Sequence, residues 1–191
     1  TTKLRLLGEH NKQNAQKAVA LCLRLGVEPS TIKQVLQTFA GLPNRLEEVA
    51  VINGVHYIND TTATTPDATI AALKALREKP MINDERSTIH LIFGGADKEL
   101  EFEEIARLIK RLKTNVYLLP GTACDKVVSA FKKARVTWTE APNLKEIFKD
   151  LKGVSREGDI VLLSPGCASF GLFKNEFDRG EQFKQLVRSF S

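Results

Sequence analysis

The stretch GDIVLLSPG, Gly158–Gly166, decides how the rest of the chain is read. Ile160 to Leu163 run without a polar interruption, then stop at Ser164-Pro165-Gly166. A short apolar run with no polar alternation is the pattern of a strand covered on both faces. STIHLIFGG (87–95) and NVYLLPG (115–121) repeat the form, each closing on glycine. Helix-like segments follow these runs: FEEIARLIKRLK, CDKVVSAFKKA and NEFDRGEQFKQLVRSF.

Working outward, VTWTEA reads as a short strand and NLKEIFKDLKGV as a helix. Upstream, EEVAVINGVHYIND holds two strand-like runs around Asn53-Gly54, a hairpin signal. TPDATIAALKAL reads as a helix with Pro66 near its first position. Strand and helix alternate so often that a doubly wound, mostly parallel α/β sheet of the Rossmann-like kind is predicted. Before the hairpin the grammar changes. NKQNAQKAVALCLRLG and EPSTIKQVLQTFAG read as a helical pair, and GLPNR (41–45) as a linker punctuated by Gly and Pro.

The chain has 191 residues, 42% hydrophobic and 27% charged, which suffices for a globular core. That length allows one domain, or one domain and part of another. The net charge of +5 suits an anionic ligand. No block of Lys and Arg is interleaved with aromatics, so nucleic acid is not expected as a partner. No signal peptide or apolar run of membrane length is present, and no membrane partner is expected. The three cysteines, Cys22, Cys124 and Cys167, are odd in number and far apart, which argues against a disulfide framework or a zinc site and for a reducing, cytoplasmic setting. The chain opens TTKLRLLGEHN without an initiator Met, so a fragment is expected.

In open α/β sheets ligands bind beyond the carboxyl ends of the strands. FGGADK, LPGTAC and LSPGCAS follow three of the predicted strands and should meet at that edge. Glycine lets the backbone approach a ligand closely, and Lys98 would add a charge. Gly166-Cys-Ala-Ser169-Phe-Gly171 misses the nucleophile-elbow spacing, and no His follows His90 to complete a triad. Ser169 is therefore read as a donor to a bound carboxylate or phosphate, and Cys167 as a buried, inert thiol. His10, His56 and His90 are scattered, which argues against a metal triad. Asp60 ends a strand, where it serves either as an acceptor for a ribose hydroxyl or as an Asx-turn residue. No G-x-x-x-x-G-K-[ST] loop and no clean G-x-G-x-x-G is present.

GEHNKQN, GLPNR, YINDTTATTPDAT, FGGADK and LSPGCASFGLFKNEFDRGEQF occur in this order. Together they resemble the C-terminal portion of a Mur ligase, nearest to the D-glutamate-adding branch. The resemblance implies that residues 1–40 end a central ATPase domain and that 41–191 form a C-terminal Rossmann-like domain. It implies an ATP-dependent ligase that activates the carboxylate of UDP-N-acetylmuramoyl-L-alanine as an acyl phosphate, which the amine of D-glutamate attacks. ATP and Mg2+ are the implied cofactors, with the phosphate loop and metal ligands outside this chain. A monomer, inactive alone, is expected. Matched residue by residue, Asn14 lies near the adenine, with Asn11 a weaker candidate. Arg45 and Asp60 match nucleotide contacts. Thr64, Lys98 and Ser169 match positions that hold the D-glutamate carboxylates, joined by the backbone of Phe170. Three departures stand out: Thr62 where a Lys is usual, Asn44 in place of the commoner His, and Glu176 where an apolar ring often packs. A free-standing dicarboxylate- or nucleotide-binding module and a sister amino-acid ligase are the alternatives.

Overall fold

The computed structural model describes residue 6 and residues 8–78 and 87–190. Two helices come first, α1 (Glu9–Arg24) and α2 (Pro29–Thr38), followed by the strands β1 (Glu47–Ile52) and β2 (Val55–Asn59). Then come α3 (Pro66–Arg77), β3 (Ile89–Phe93), α4 (Glu103–Leu112), β4 (Asn115–Leu118), α5 (Cys124–Ala134) and β5 (Trp138–Glu140). The chain closes with α6 (Leu144–Val154), β6 (Ile160–Leu163) and α7 (Glu176–Arg188).

The six strands form one sheet in the order β1-β2-β6-β3-β4-β5. All neighbours pair in parallel except β1, which is antiparallel to β2 at the edge. The hairpin joining β1 and β2 turns at Asn53 and Gly54, both at positive φ (50° and 76°). Two consecutive residues of that kind match the twist of the flanking strands.

Alternation along the strands divides the core. Ile58, Leu91, Phe93, Val116 and Leu162 pack under α3, α4 and α5. Tyr57, Ile92, Tyr117, Val161 and Leu163 face α6 and α7. Chain direction explains the division. β2, β3, β4 and β5 advance one way across the sheet, and right-handed crossovers put their helices on one face. The chain then returns from β5 to insert β6 between β2 and β3, and the same handedness puts α6 on the other face. The loops after β2 and β3 therefore leave toward one face and the loop after β6 toward the other, which opens a crevice at the β2/β6/β3 carboxyl edge.

His90 is structural. It lies buried in β3, with Nε2 3.2 Å from Asp159 Oδ2 and Nδ1 3.1 Å from the Asn115 amide. Cys167 is buried, and burial pushes its thiol up to about 12, so it stays protonated and inert. No helix among the described residues is long and apolar enough to cross a membrane.

Candidate functional site

The loops after β3, β4 and β6 are locked together by their main chains. Ala96 and Ala168 exchange hydrogen bonds as a short bridge: Ala96 N–H donates to Ala168 O (2.9 Å) and Ala168 N–H to Ala96 O (3.1 Å). Gly94 N–H donates to Pro165 O (2.9 Å), and Ala123 N–H to Gly95 O (3.1 Å). The glycines are what permit this approach. A Cβ on Gly121 would lie 2.0 Å from Gly95 O, and one on Gly95 2.2 Å from Ala168 O. Gly121→Ala therefore forces two backbones apart and should cost about 2–3 kcal/mol. Chemical denaturation checks this, and an unchanged midpoint would mean that the loops are loose.

Across this frame two of the amino-acid candidates, Lys98 and Thr64, meet. Lys98 Nζ donates to Thr64 Oγ1 at 3.0 Å, spanning the loops after β3 and β2. Ser169 follows the bridging Ala168 and is buried; the Phe170 side chain beside it is 69% exposed. Lys126 holds Asp97, one residue before Lys98, at 2.6 Å, and the bond keeps that carboxyl below its usual range.

The nucleotide candidates gather on the other side of the Asp60–Thr64 segment. Asn14, Arg45, Phe39 and Leu42 line a cavity of about 380 Å3 between the helical pair and the strap that leads to β1. Arg45 also lines a smaller one, about 190 Å3, with His10, Asp60 and Thr62. The first has the apolar walls and few polar groups that suit a planar base. The second sets a carboxylate and a guanidinium against a space of sugar size.

Asp60 does not form an Asx turn. That role falls to Asn59, whose Oδ1 accepts the Thr61 N–H at 3.2 Å. The Asp60 carboxylate is buried and reaches outward instead: Oδ1 accepts the Leu46 N–H (3.1 Å) and Oδ2 the Ser164 hydroxyl (2.8 Å). Burial raises its pKa to about 6, although both hydrogen bonds and the Arg45 charge pull the other way.

Arg179 is the residue that sequence reasoning undervalues. It is wholly buried, and its acceptors are neutral oxygens: Thr61 Oγ1 (3.0 Å), Thr61 O (2.9 Å) and Cys167 O (3.3 Å). Desolvation lowers its pKa to about 10, so it remains a cation at neutral pH. It thereby joins the β2–α3 loop to the loop after β6. Glu176 contributes its main-chain oxygen, which accepts the Thr61 hydroxyl at 2.8 Å. The signal for Arg179 is the adjoining Gly180, where a Cβ would meet Asn44 Oδ1 and Thr61 Cγ2 at 2.7 Å and keep α7 from seating this deep.

Among the described residues no group of three or more His, Cys, Asp or Glu could hold a metal ion. Fold and site together define a doubly wound α/β domain whose loops meet at one carboxyl edge of the sheet, beside a helical pair. The chain belongs to the Mur ligase family: residues 44–167 match the family described as "Mur ligase, glutamate ligase domain". A UDP-N-acetylmuramoylalanine–D-glutamate ligase from Roseiflexus sp. (strain RS-1) is 41% identical over 98% of this chain and 39% of its own length. The chain thus spans about two-fifths of such curated relatives. Two solved structures share the fold. A UDP-N-acetylmuramate–alanine ligase from Thermotoga maritima has a TM-score of 0.74 at 19% identity, over 98% of this chain and 40% of that one. A MurF ligase from the same organism, in complex with ADP, has a TM-score of 0.58 at 17% identity, over 91% of this chain and 37% of that one.

Proposed function

We propose that this chain is the C-terminal part of an ATP-dependent ligase that joins D-glutamate to UDP-N-acetylmuramoyl-L-alanine through an acyl phosphate. In this reading residues 1–40 end the central domain and 41–191 form the domain that brings in the amino acid. The observation that carries it is the Lys98–Thr64 hydrogen bond at 3.0 Å, set on loops that the Ala96–Ala168 bridge ties to Ser169. A cation, two hydroxyls and the main chain at Phe170 are the donors that two carboxylates require. Arg179, buried behind these loops, adds a fixed positive charge in a region of low dielectric.

Asn14 and Arg45 wall the cavity suited to the base, and Asp60 is the acceptor for a ribose hydroxyl. ATP, bound there with Mg2+ ligated from elsewhere in the ligase, supplies the phosphoryl group. What this chain's residues do is hold the two anionic reactants side by side and exclude water as the domain closes.

The test is Lys98→Ala in the intact ligase, followed by D-glutamate-dependent phosphate release. Removing a charge-assisted hydrogen bond to the amino acid should raise the D-glutamate KM, or lower kcat, by about 10- to 100-fold, with the KM for ATP unchanged. Unaltered kinetics would remove Lys98 from the site. D-glutamate should also outcompete L-glutamate; equal use of both would favour a sister ligase.

A further inference from the structure

Arg45 sits between two residues that are costly where they are. Asn44 has φ 66° and Leu46 φ 44°, both left-handed and neither glycine. Asn tolerates that region and Leu does not. Such strain persists only where surrounding contacts over-determine the backbone, and here they do. Asn44 N–H donates to Glu47 Oε2 (2.7 Å), and Asn59 Nδ2 donates to Asn44 Oδ1 (2.9 Å). Leu46 N–H is held by Asp60 at 3.1 Å. The Asn44 carbonyl accepts twice from one residue, the Thr62 hydroxyl at 2.9 Å and the Thr62 N–H at 3.3 Å. Lys184 of α7 reaches Glu47 at 3.7 Å and braces the far side.

We propose that Thr62 is a positioning residue: by clasping the Asn44 carbonyl it holds the strained Asn44–Leu46 turn and so sets where Arg45 stands in the cavities between the helical pair and the α/β domain. The Thr62 hydroxyl gives its proton to the turn, although the residue also lines the smaller cavity. Asn44 and Thr62 are thereby one unit, and a change at either is felt at the other. Glu47 and Asn59 hold the Asn44 end of the turn, Asp60 holds the Leu46 end, and Thr62 holds the carbonyl between them. Loss of the Thr62 hydroxyl bond, the shorter of the two on that carbonyl, loosens the middle of the turn and so weakens the Leu46–Asp60 bond beyond it. The latch itself is independent of the proposed function; its effect on nucleotide affinity rests on that reading.

The experiment uses the 191-residue chain and three forms of it: wild type, Thr62→Val and Thr62→Ser. Valine keeps the shape without the hydroxyl, and serine restores the donor. Amide hydrogen exchange is read at Leu46 and within β3 and β6, and ADP affinity is read by calorimetry. In Thr62→Val the Leu46 amide should exchange on the order of tenfold faster, with β3 and β6 unchanged and Thr62→Ser close to wild type. The ADP dissociation constant should rise by a similar factor in Thr62→Val and recover in Thr62→Ser, and the Leu46 exchange, read without nucleotide, separates an effect through the turn from a direct contact of Thr62 with the ligand. Leu46 exchange unaltered in Thr62→Val overturns the latch. If the wild-type chain binds no ADP, its own residues do not suffice for nucleotide binding, and the exchange data alone decide the latch.

Discussion

Asp60→Asn raises the stability of the fold at neutral pH by about 1–3 kcal/mol, although it removes a residue of the proposed nucleotide site. The carboxyl's pKa is raised by burial from 3.8 to about 6. The native state therefore holds its proton more tightly than the unfolded chain does, and that advantage is complete only below about pH 4. It is lost as pH rises from there through about 6, so at pH 7 the fold carries an ionised, desolvated carboxylate. A difference of that size between the folded and unfolded carboxyl is worth about 3 kcal/mol. Asparagine avoids the charge and keeps the geometry. Its Oδ1 can still accept the Leu46 N–H, and its amide can donate to Ser164. Ser164 then turns its own proton to Thr69 Oγ1, already 3.1 Å away. Every polar atom of the cluster stays paired.

The measurement is denaturant unfolding of both proteins from pH 4 to pH 8. The two should be alike near pH 4 and diverge as pH rises, with the variant the more stable. A variant less stable at pH 7 would mean that Arg45 and the hydrogen bonds outweigh burial. A stabilising loss of a polar residue marks a position kept for function, which fits the nucleotide role proposed for Asp60: it faces the small cavity with Arg45 and also restrains the strap through Leu46.

What the sequence discloses here follows from how far each interaction reaches. The apolar runs at Ile89–Phe93 and Ile160–Leu163 show as buried strands because every side chain in them is apolar except that of His90, which pairs with Asp159 and Asn115. Asn53-Gly54 shows as a turn because the required φ values are local. The β6 insertion between β2 and β3 is not visible, because hydrophobic pattern carries no information on which strands are neighbours. Among the site residues, Thr64 and Lys98 do meet, but only the sheet order brings the loops after β2 and β3 together around β6. Asn44 and Thr62 read as two separate departures from a family pattern, and their hydrogen bonds make them one. Arg179 hides for a related reason. In NEFDRGEQF it reads as one more charge on an exposed helix, and the oxygens that draw it inward belong to Thr61 and Cys167.

Arg179 carries the other large effect. Arg179→Ala should destabilise the chain by about 3–5 kcal/mol. The substitution strips the donors from Thr61 O and Cys167 O, and each buried orphan costs about 1–3 kcal/mol. It also leaves a void against Phe173, whose ring lies 6.0 Å from the guanidinium carbon. Arg179→Met separates these contributions. Methionine fills most of the void and, as alanine also does, relieves the desolvation that lowers the arginine's pKa from 12.5 to about 10, worth roughly 3 kcal/mol. It still orphans the same oxygens, so it should cost about 1–2 kcal/mol. Arg179→Lys keeps the charge without the planar fork, and one ammonium cannot replace three directed bonds to oxygens on two loops. Denaturant titration orders the variants: Met mildest, Ala most severe. Methionine as harmful as alanine would show that the hydrogen bonds dominate and the packing does not. In the ligase proposed above, Met and Lys should both raise the D-glutamate KM, because Thr61 and Cys167 lie in the loops that carry Thr64 and Ser169. If Lys alone kept wild-type KM, the contribution of Arg179 would be its field rather than its bonds, and a cation anywhere in that buried space would serve.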